Sequence, residues 1–431
     1  MAVSPTPRTA DISRPVVAVA FSGGRDSTAL LHVTAASRDV EVVALHVHHG
    51  LSIHANVWAA HCESQCALWG LRFKAHRLTG RPAPSQSIEA WARAGRHAAL
   101  QRMAATEGAD LLLLAHHQRD QAETFLLQAL RGAGVAGLAA MPAAQWRDGV
   151  CWARPWLQQP SEAIHAYIAQ HGLAHIDDDS NTDPRFARNR MRLDVWPALT
   201  RAFPQAQSSL AQAATWAQQA LALQQEIAQA DLVLIADKEG LDVAGIQALS
   251  VARASNALRA WLYAKTGRPA SASLLERLQR EWATDGSWPC GNGVLRRYRG
   301  RLRWYETVPS LARAPSQSVN LASVGLHAQV DWGGCWCVEP VSSGGVPAAR
   351  LQTLTLRARS GGEQFQRTGR STVRSLKKAY QTAAIPAWER DGPLLFCGEH
   401  QLFFAPGLGL DARMLAAPNE PQFSVHWQPD R

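Results

Sequence analysis

The stretch Ser22-Gly23-Gly24-Arg25-Asp26-Ser27 gathers hydroxyls, glycines, a guanidinium and a carboxylate into one short turn. It follows the apolar run 16–21 and leads into Thr28-Ala29-Leu30-Leu31, which reads as the first turns of a helix. A buried strand that ends in a glycine-rich turn and enters a helix makes an anion cradle, because unpaired backbone N–H groups and the positive helix end face the turn. Glycine lets the backbone approach a phosphate with no Cβ in the way, and the Ser22 and Ser27 hydroxyls add donors. The Gly-x-x-x-x-Gly-Lys-Ser/Thr pattern is absent, so this is not a Walker-type site. Bare phosphate would repel Asp26, and a bridging Mg²⁺ removes that conflict. An ordinary strand–helix turn would accept the same residues, and the loop alone leaves both readings open.

Further chemistry-bearing groups follow. In His46-Val47-His48-His49-Gly50, strand alternation puts His46 and His48 on one side. No carboxylate or cysteine nearby completes a metal site there. Downstream lies His116-His117-Gln118-Arg119-Asp120-Gln121-Ala122-Glu123-Thr124, with Arg131-Gly132-Ala133-Gly134 beyond an apolar run. Asp120, three residues before Glu123, makes a helix capping box. The same carboxylate pair at a strand end also suits Mg²⁺, and both readings stand. Next, Asp177-Asp178-Asp179-Ser180-Asn181 precedes Arg188-Asn189-Arg190-Met191-Arg192, where a helix would put Arg188 and Arg192 on one face. A solvated salt-bridge patch is the plain alternative. Near the end Arg350, Arg357, Arg359, Arg367, Arg370, Arg374, Lys377 and Lys378 face a single acid, Glu363. A solvated face mixes signs, so this cluster reads as a surface for a phosphate backbone.

The elements that position these residues can be read from periodicity. Over the first ~200 residues short apolar runs at 16–21, 40–47, 71–76 and 111–116 alternate with helical patterns at 56–69, 87–107 and 161–171. That alternation predicts a parallel sheet covered by helices. From about 204 to 285 Ala, Gln and Leu dominate, and 208–230 together with Leu258, Trp261 and Leu262 predicts helices with an apolar core face. Residues 294–298 and 302–305, around Arg299-Gly300-Arg301, predict a hairpin. The Pro/Ser/Gly/Ala-rich stretches 309–323 and 342–349 read as linker. The expected division is 1–203, an α/β domain; 204–308, helical and ending in the hairpin; 309–349, a linker with short strands; and 350–431, a small α+β module.

Composition bounds the rest. With 431 residues, 46% hydrophobic and 18% charged, the chain holds several cores and is not disordered. No apolar run approaches bilayer length, and residues 1–15 lack the apolar centre of a signal peptide, so a cytoplasmic protein is expected. The seven cysteines include no Cys-x-x-Cys, which argues for buried free thiols. A net charge of +9 favours a polyanionic partner, although arginine and alanine abundance also follows from a GC-rich genome.

The 22–27 stretch resembles the Ser-Gly-Gly-x-Asp-Ser signature of the PP-loop ATP pyrophosphatases, enzymes that cleave ATP between its α and β phosphates and transfer AMP to a substrate oxygen. Residues 115–134 resemble the Ala-His-His-x-Asp-Asp-Gln-x-Glu-Thr…Arg-Gly-x-Gly motif of the tRNA(Ile)-lysidine synthetases, with Arg119 where that family usually carries its first aspartate. The segment 178–192 is similar to the family's Asp-x-Ser-Asn…Arg-Asn-x-x-Arg, and Glu89…Arg93…Arg96 and Arg154-Pro155 match smaller pieces. Leu356-Arg357-Ala358-Arg359, Gly361-Gly362-Glu363, Leu376-Lys377-Lys378 and Ile385-Pro386…Trp388-Glu389-Arg390 resemble its C-terminal tRNA-binding domain.

The resemblance implies a Rossmann-like parallel sheet followed by a helical domain and a small α+β domain. It implies a reaction in which ATP adenylates the 2-oxo group of the wobble cytidine of a CAU-anticodon tRNA(Ile), after which the ε-amino group of free L-lysine displaces AMP. Ser22, Gly23, Gly24, Arg25, Asp26 and Ser27 would then hold the phosphates, with His46, His49 and His116 bordering the nucleotide. Asp26 and Asp120 would bind Mg²⁺, and Asp26, Asp120, Glu123, Arg188 and Arg192 would carry the chemistry. Arg131, Arg357, Arg359, Arg370, Arg374, Lys377 and Lys378 would contact tRNA. No membrane is involved, and a homodimer stays open. The rivals are weaker: a tRNA 2-thiolation enzyme needs cysteines this chain does not pair near the loop, an amidotransferase needs an N-terminal nucleophile or a glutaminase domain, and a non-catalytic RNA-binding relative would have Arg119 as its lesion.

Overall fold

The computed structural model describes residues 14–50, 53–80, 82, 87–177, 187–281, 285–306, 316–390 and 392–429. The chain divides into two compact units, Met1–Gln229 and Ala230–Arg431.

The first unit opens with β1 (Val16–Ala20), α1 (Arg25–Ala35), β2 (Glu41–His48), α2 (Ala55–Leu68), β3 (Arg72–Arg77), α3 (Ile88–Thr106), β4 (Ala109–Leu113) and α4 (Gln118–Leu130). After the short α5 (Val135–Leu138) come β5 (Ala144–Arg147), β6 (Val150–Ala153) and α6 (Ser161–His171). The helical run α7 (Ala187–Arg190), a π-helical turn (Met191–Val195) and α8 (Trp196–Ala202) leads to the 30-residue α9 (Ala206–Ile235). The sheet order is β3-β2-β1-β4-β6-β5, parallel except at the β5–β6 hairpin. Strand β1 reads Val-Val-Ala-Val-Ala because it is central and covered on both faces; Ala18 and Val19 have no solvent exposure. Its neighbours β2 and β4 are not consecutive in the chain, so the loop after β1 opens at the switch point where α/β sheets bind ligands.

The predicted strands and helices of this unit are present, with end shifts of at most three residues. The largest shift is at β4, expected to reach His116 but ending at Leu113, because the chain must leave the sheet to enter α4. The β5–β6 hairpin was not anticipated, although Asp148-Gly149 at its turn, with φ of 42° and 82°, is a hairpin signal.

In the second unit, β7 (Ala236–Asp237), β8 (Gly240–Asp242), β9 (Gly286–Cys290), β10 (Gly293–Tyr298) and β11 (Arg301–Glu306) form an antiparallel sheet ordered β7-β8-β11-β10-β9. Helices α10 (Val243–Ala248), α11 (Val251–Thr266) and α12 (Ala272–Arg280) pack with it around Leu258, Trp261, Leu262, Leu278, Trp288, Leu295 and Leu302. The expected helices and hairpin are there, but the region is helical plus five-stranded. Strands of two or three residues, and one holding Gly286 and Pro289, are too short or too irregular to show alternation.

Further along run β12 (Gln317–Val319), β13 (Gly325–Gln329), β14 (Gly334–Val341), β15 (Val346–Pro347), β16 (Leu354–Arg357), β17 (Gln364–Phe365), β18 (Arg374–Ser375), α13 (Leu376–Thr382), β19 (Leu394–Cys397), β20 (Gln401–Ala405), β21 (Gly409–Leu410) and β22 (Gln422–Pro429). They make antiparallel sheets ordered β12-β16-β19-β20-β21 and β13-β14-β22-β15, with β17 paired to β18. Val319, Leu321, Trp336 and Val338, from the stretch read as linker, share one buried core with Leu354, Leu395, Phe403 and Val425. Residues 309–315 of that stretch lie outside the described residues.

All seven cysteines are free, with Cys62, Cys66 and Cys290 buried and the other four half-buried. Among the described residues, no helix is long and apolar enough to cross a membrane.

One contact ties the loop after β1 to a distant segment. Ile176 N–H donates to Gly23 O at 2.9 Å, and Gly24 and Ile176 form an isolated parallel bridge. Gly23 has φ +83°, and a Cβ there would lie 2.6 Å from Ile176 Cδ1 and 2.8 Å from Cys62 Sγ. Gly23→Ala therefore meets both a strained φ and two clashes, and should destabilise the first unit by about 2 kcal/mol in urea unfolding. An unchanged midpoint would mean that the loop adjusts without cost.

Candidate active site

Inside the loop the hydroxyls are turned to the backbone. Ser22 N–H donates to Ser27 Oγ at 3.2 Å, the two serine oxygens are 3.0 Å apart, and Ser27 Oγ–H donates to Gly24 O at 2.9 Å. Thr28 Oγ1–H donates to Gly23 O at 3.2 Å. Ser22 and Ser27 thus staple the turn. The donors left for an anion are chiefly the N–H groups of Arg25, Asp26 and Ser27, in the first turn of α1, which an α-helix leaves without intrahelical acceptors. His46 sits below: its Nδ1–H donates to Phe21 O at 2.9 Å, fixing the strand end. Burial holds the His46 imidazole below its ordinary pKa, so it serves as a neutral hydrogen-bonding group.

The carboxylates form a chain that crosses from this loop to α4. Asp26 Oδ2 is 3.7 Å from His117 Nε2, which is 3.5 Å from Asp120 Oδ2. Asp120 Oδ1 receives Arg192 Nη2–H at 3.0 Å, and Arg192 Nε–H donates to Glu123 Oε1 at 2.7 Å. Glu123 has no solvent exposure. It also faces Arg119 Nε at 3.2 Å and Arg188 Nε at 3.8 Å, while Arg188 Nη2–H donates to Thr124 Oγ1 at 2.8 Å. Arg119 lies over the buried Trp196 ring, 5.4 Å from its centroid.

Electrostatics follow from that chain. Burial alone would lower His117, but Asp26, Asp120 and Glu123 outweigh it and hold the imidazole above its ordinary pKa. Burial pushes the Asp120 carboxyl up; His117, Arg192 and Arg188 more than offset this and hold it below the usual carboxylate range. Burial drives His116 far down, so it is neutral.

The capping-box reading needs correction. Helix α4 begins at Gln118, three residues before Gln121, so Asp120 occupies its third position and accepts His117 N–H at 3.2 Å. The expected partner, Glu123, lies in the second turn and points into the protein. His117, the residue before the helix, is the group that links the loop to α4; the sequence reading took its neighbour His116. The signal was available, since a residue three positions before an N3 carboxylate is where a helix starts.

Arg188 and Arg192 do meet on one side, although a π-helical turn rather than a plain helix carries Arg192 there. Asp177 is described, whereas Asp178, Asp179, Ser180 and Asn181 lie outside the described residues, as does the side chain of Glu89. Arg131 is exposed at the end of α4. In the second unit Arg370, Arg374, Lys377 and Lys378 are exposed. Arg357 instead donates to Glu399 O at 2.7 Å and stacks on Phe396, while Arg359 pairs with Glu363 at 3.8 Å.

Among the described residues no three His, Cys, Asp or Glu side chains gather into a metal-binding group. Asp26, however, is partly exposed beside the anion-facing turn, which is how Mg²⁺ is commonly held: one or two carboxylates, with phosphates and water completing the shell. Asp120 is already engaged by Arg192 and His117 and fits that role less well.

Comparison with known proteins covers most of the chain. Residues 7–199 match the PP-loop domain, 241–303 the TilS substrate binding domain and 354–427 the TilS substrate C-terminal domain. The chain is 43% identical to the tRNA(Ile)-lysidine synthase of Ralstonia nicotianae over 436 residues, covering 96% of this chain and 93% of the relative. It is 39% identical to the corresponding synthase of Chromobacterium violaceum, covering 92% of each.

The ion network makes a stability prediction. Glu123→Ala leaves three guanidinium groups facing one another without a shared counter-charge, and should cost about 3–5 kcal/mol in urea unfolding. Arg119→Ala, which leaves Arg192 and Arg188 in place, should cost about 1 kcal/mol. If Glu123→Ala unfolds at the wild-type midpoint, these ion pairs do not tie α4 to the 187–196 run.

Proposed function

The chain belongs to the tRNA(Ile)-lysidine synthase family, ATP-dependent ligases, and on that premise we propose how its residues divide the reaction. The carrying observation is the unbroken chain Asp26–His117–Asp120–Arg192–Glu123, which joins a phosphate-binding turn to a carboxylate–guanidinium cluster.

The substrate tRNA(Ile) presents its wobble cytidine, in a CAU anticodon, to the α-phosphate of ATP. The 2-oxo oxygen forms the bond to phosphorus, and pyrophosphate departs toward the first-turn amides of α1, which stabilise its charge. Mg²⁺, held by Asp26, would neutralise the phosphates. The ε-ammonium of L-lysine gives up a proton to solvent, and the resulting amine bonds to C2 of the cytosine as the C2–O bond breaks and AMP leaves with the bonding pair. Asp120, held ionised, orients the incoming ammonium and is better suited to that than to taking its proton. Arg188 and Arg192 stand beside these carboxylates, where they can also meet the α-phosphate. His46 and His116, both held neutral, border the nucleotide without adding charge.

On this reading residues 1–203 are a Rossmann-like catalytic domain, 204–308 a substrate domain, and 350–431 a small α+β domain that grips tRNA through Arg370, Arg374, Lys377 and Lys378. The compartment is the cytoplasm.

The direct test is incorporation of [¹⁴C]lysine into a CAU-anticodon tRNA(Ile) transcript with ATP and Mg²⁺, followed by digestion to labelled lysidine. Asp26→Asn should fold normally and lose at least about a hundredfold in pyrophosphate release, since an amide cannot replace a charged ligand. Near-normal release would remove Asp26 from the mechanism.

Recognition should separate from chemistry. Neutralising Arg374, Lys377 and Lys378 together should raise the Michaelis constant for tRNA and lower the slope of log affinity against log salt by about 2, while the rate at saturating tRNA falls far less. An unchanged salt slope would mean that this face is merely solvated.

A further inference from the structure

Arg25, the first residue of α1, lies inside the turn that the proposed function assigns to the ATP phosphates, yet its guanidinium is held from outside the turn. Its Nη1 is 2.9 Å from Nε2 of His165 on α6, and its Nε–H points to Nε2 of His175 at 3.5 Å. Its Nη2 is 3.6 Å from Asp177, a carboxylate that is 83% exposed.

A guanidinium has donors and no acceptor, so both imidazole Nε2 atoms must present lone pairs. The other nitrogen of His175, Nδ1, is 3.3 Å from Leu173 O and therefore carries the proton. Both rings thus act as acceptors toward Arg25, and His175 Nε2 also lies 3.7 Å from Asp177 Oδ1. A neutral acceptor fixes the direction of a guanidinium without cancelling its charge, whereas a buried carboxylate would do both. Asp177, at 3.6 Å and open to water, is too screened to neutralise it. Around this corner the backbone is in register with the loop: Ile176, between His175 and Asp177, bonds Gly23 O at 2.9 Å and bridges Gly24.

We propose that His165 and His175 are positioning residues that aim a charge-bearing Arg25 at the phosphate end of the turn, adding a guanidinium site for the departing pyrophosphate. The proposal rests on the reading of the turn as the ATP site. Planar guanidinium groups suit phosphate oxygens, and the oriented cation would strengthen product and ATP binding more than the chemical step.

The test uses the full chain, with inorganic pyrophosphate as product inhibitor and tRNA and lysine saturating. His165→Leu and His175→Leu should each raise the ATP Michaelis constant and the pyrophosphate inhibition constant about fivefold, with kcat changed less than twofold. His165→Gln, whose amide oxygen can take the place of Nε2 as acceptor, should recover most of the loss. Arg25→Ala should show at least the same loss, and adding His165→Leu to it should make nothing worse. Normal inhibition constants in the histidine variants, or additivity with Arg25→Ala, would overturn the proposal. Failure of the underlying reading is distinguishable: Arg25→Ala and Asp26→Asn would then both leave ATP and pyrophosphate binding unchanged, which overturns the proposal as well.

Discussion

A carboxylate without solvent contact must find its counter-charge inside the protein, and Glu123 imposes that requirement on the first unit. Removing an ion from water costs several kcal/mol, so the charge is tolerated only where cations and hydrogen bonds converge on it. Arg119 comes from the preceding turn of α4, while Arg188 and Arg192 come from a run 65 or more residues later in the chain. The 187–196 run is therefore bound to α4, and its π-helical turn fits a segment whose side-chain directions are set by where Arg192 must go. The same Arg192 reaches Asp120, and His117 carries the connection on to Asp26. The turn after β1 and the carboxylate cluster are in this way parts of one electrostatic object.

What could be read from the sequence divides along physical lines. Strand β1 and helix α6 were legible, α6 to the residue, because a buried central strand is all apolar and an amphipathic helix repeats with a 3.6 period. The turn at 22–27 was legible because glycines, hydroxyls and an acid in that order suit few purposes. The role of the hydroxyls was not: nothing local says whether Ser22 and Ser27 face a ligand or their own backbone, and here they staple the turn. His117 was missed because the start of α4 was misplaced by a few residues, and at a helix terminus that error exchanges the cap for the second turn. Short strands such as β7 and β8 left no alternation to read. Trp336 and Val338 were hidden between two Pro/Ser/Gly/Ala-rich stretches that suggested linker, in a region expected to hold only short strands.

Net charge was a poorer guide than its placement. Many arginines of the second unit hold the structure together rather than wait for a polyanion. Arg357 lies 3.7 Å from the Phe396 centroid, and Arg296 covers both Tyr305 and Trp388. Arg303 is fixed at 3.1 Å by Glu389, which also accepts the Tyr305 hydroxyl. A guanidinium over an aromatic face contributes attraction and apolar contact together, which lysine does less well. The +9 charge therefore overstates the cationic surface left exposed, of which Arg370, Arg374, Lys377 and Lys378 are part.

Arg119 alters the charge balance of the cluster rather than its shape. Asp26, Asp120 and Glu123 supply three negative charges, and Arg119, Arg188 and Arg192 supply three positive ones, so the side chains balance one for one before His117 is counted. An aspartate at 119 would make four acids against two arginines, two charges short of balance and four residues, one helical turn, from a fully buried Glu123. Such a cluster would draw its missing positive charge from bound cations. With a guanidinium there, stacked on Trp196 and paired to Glu123, that charge is covalently part of the protein. On the proposed reading of the turn, an external cation would then be needed mainly beside Asp26, at the far end of the chain from Arg119, Arg188 and Arg192.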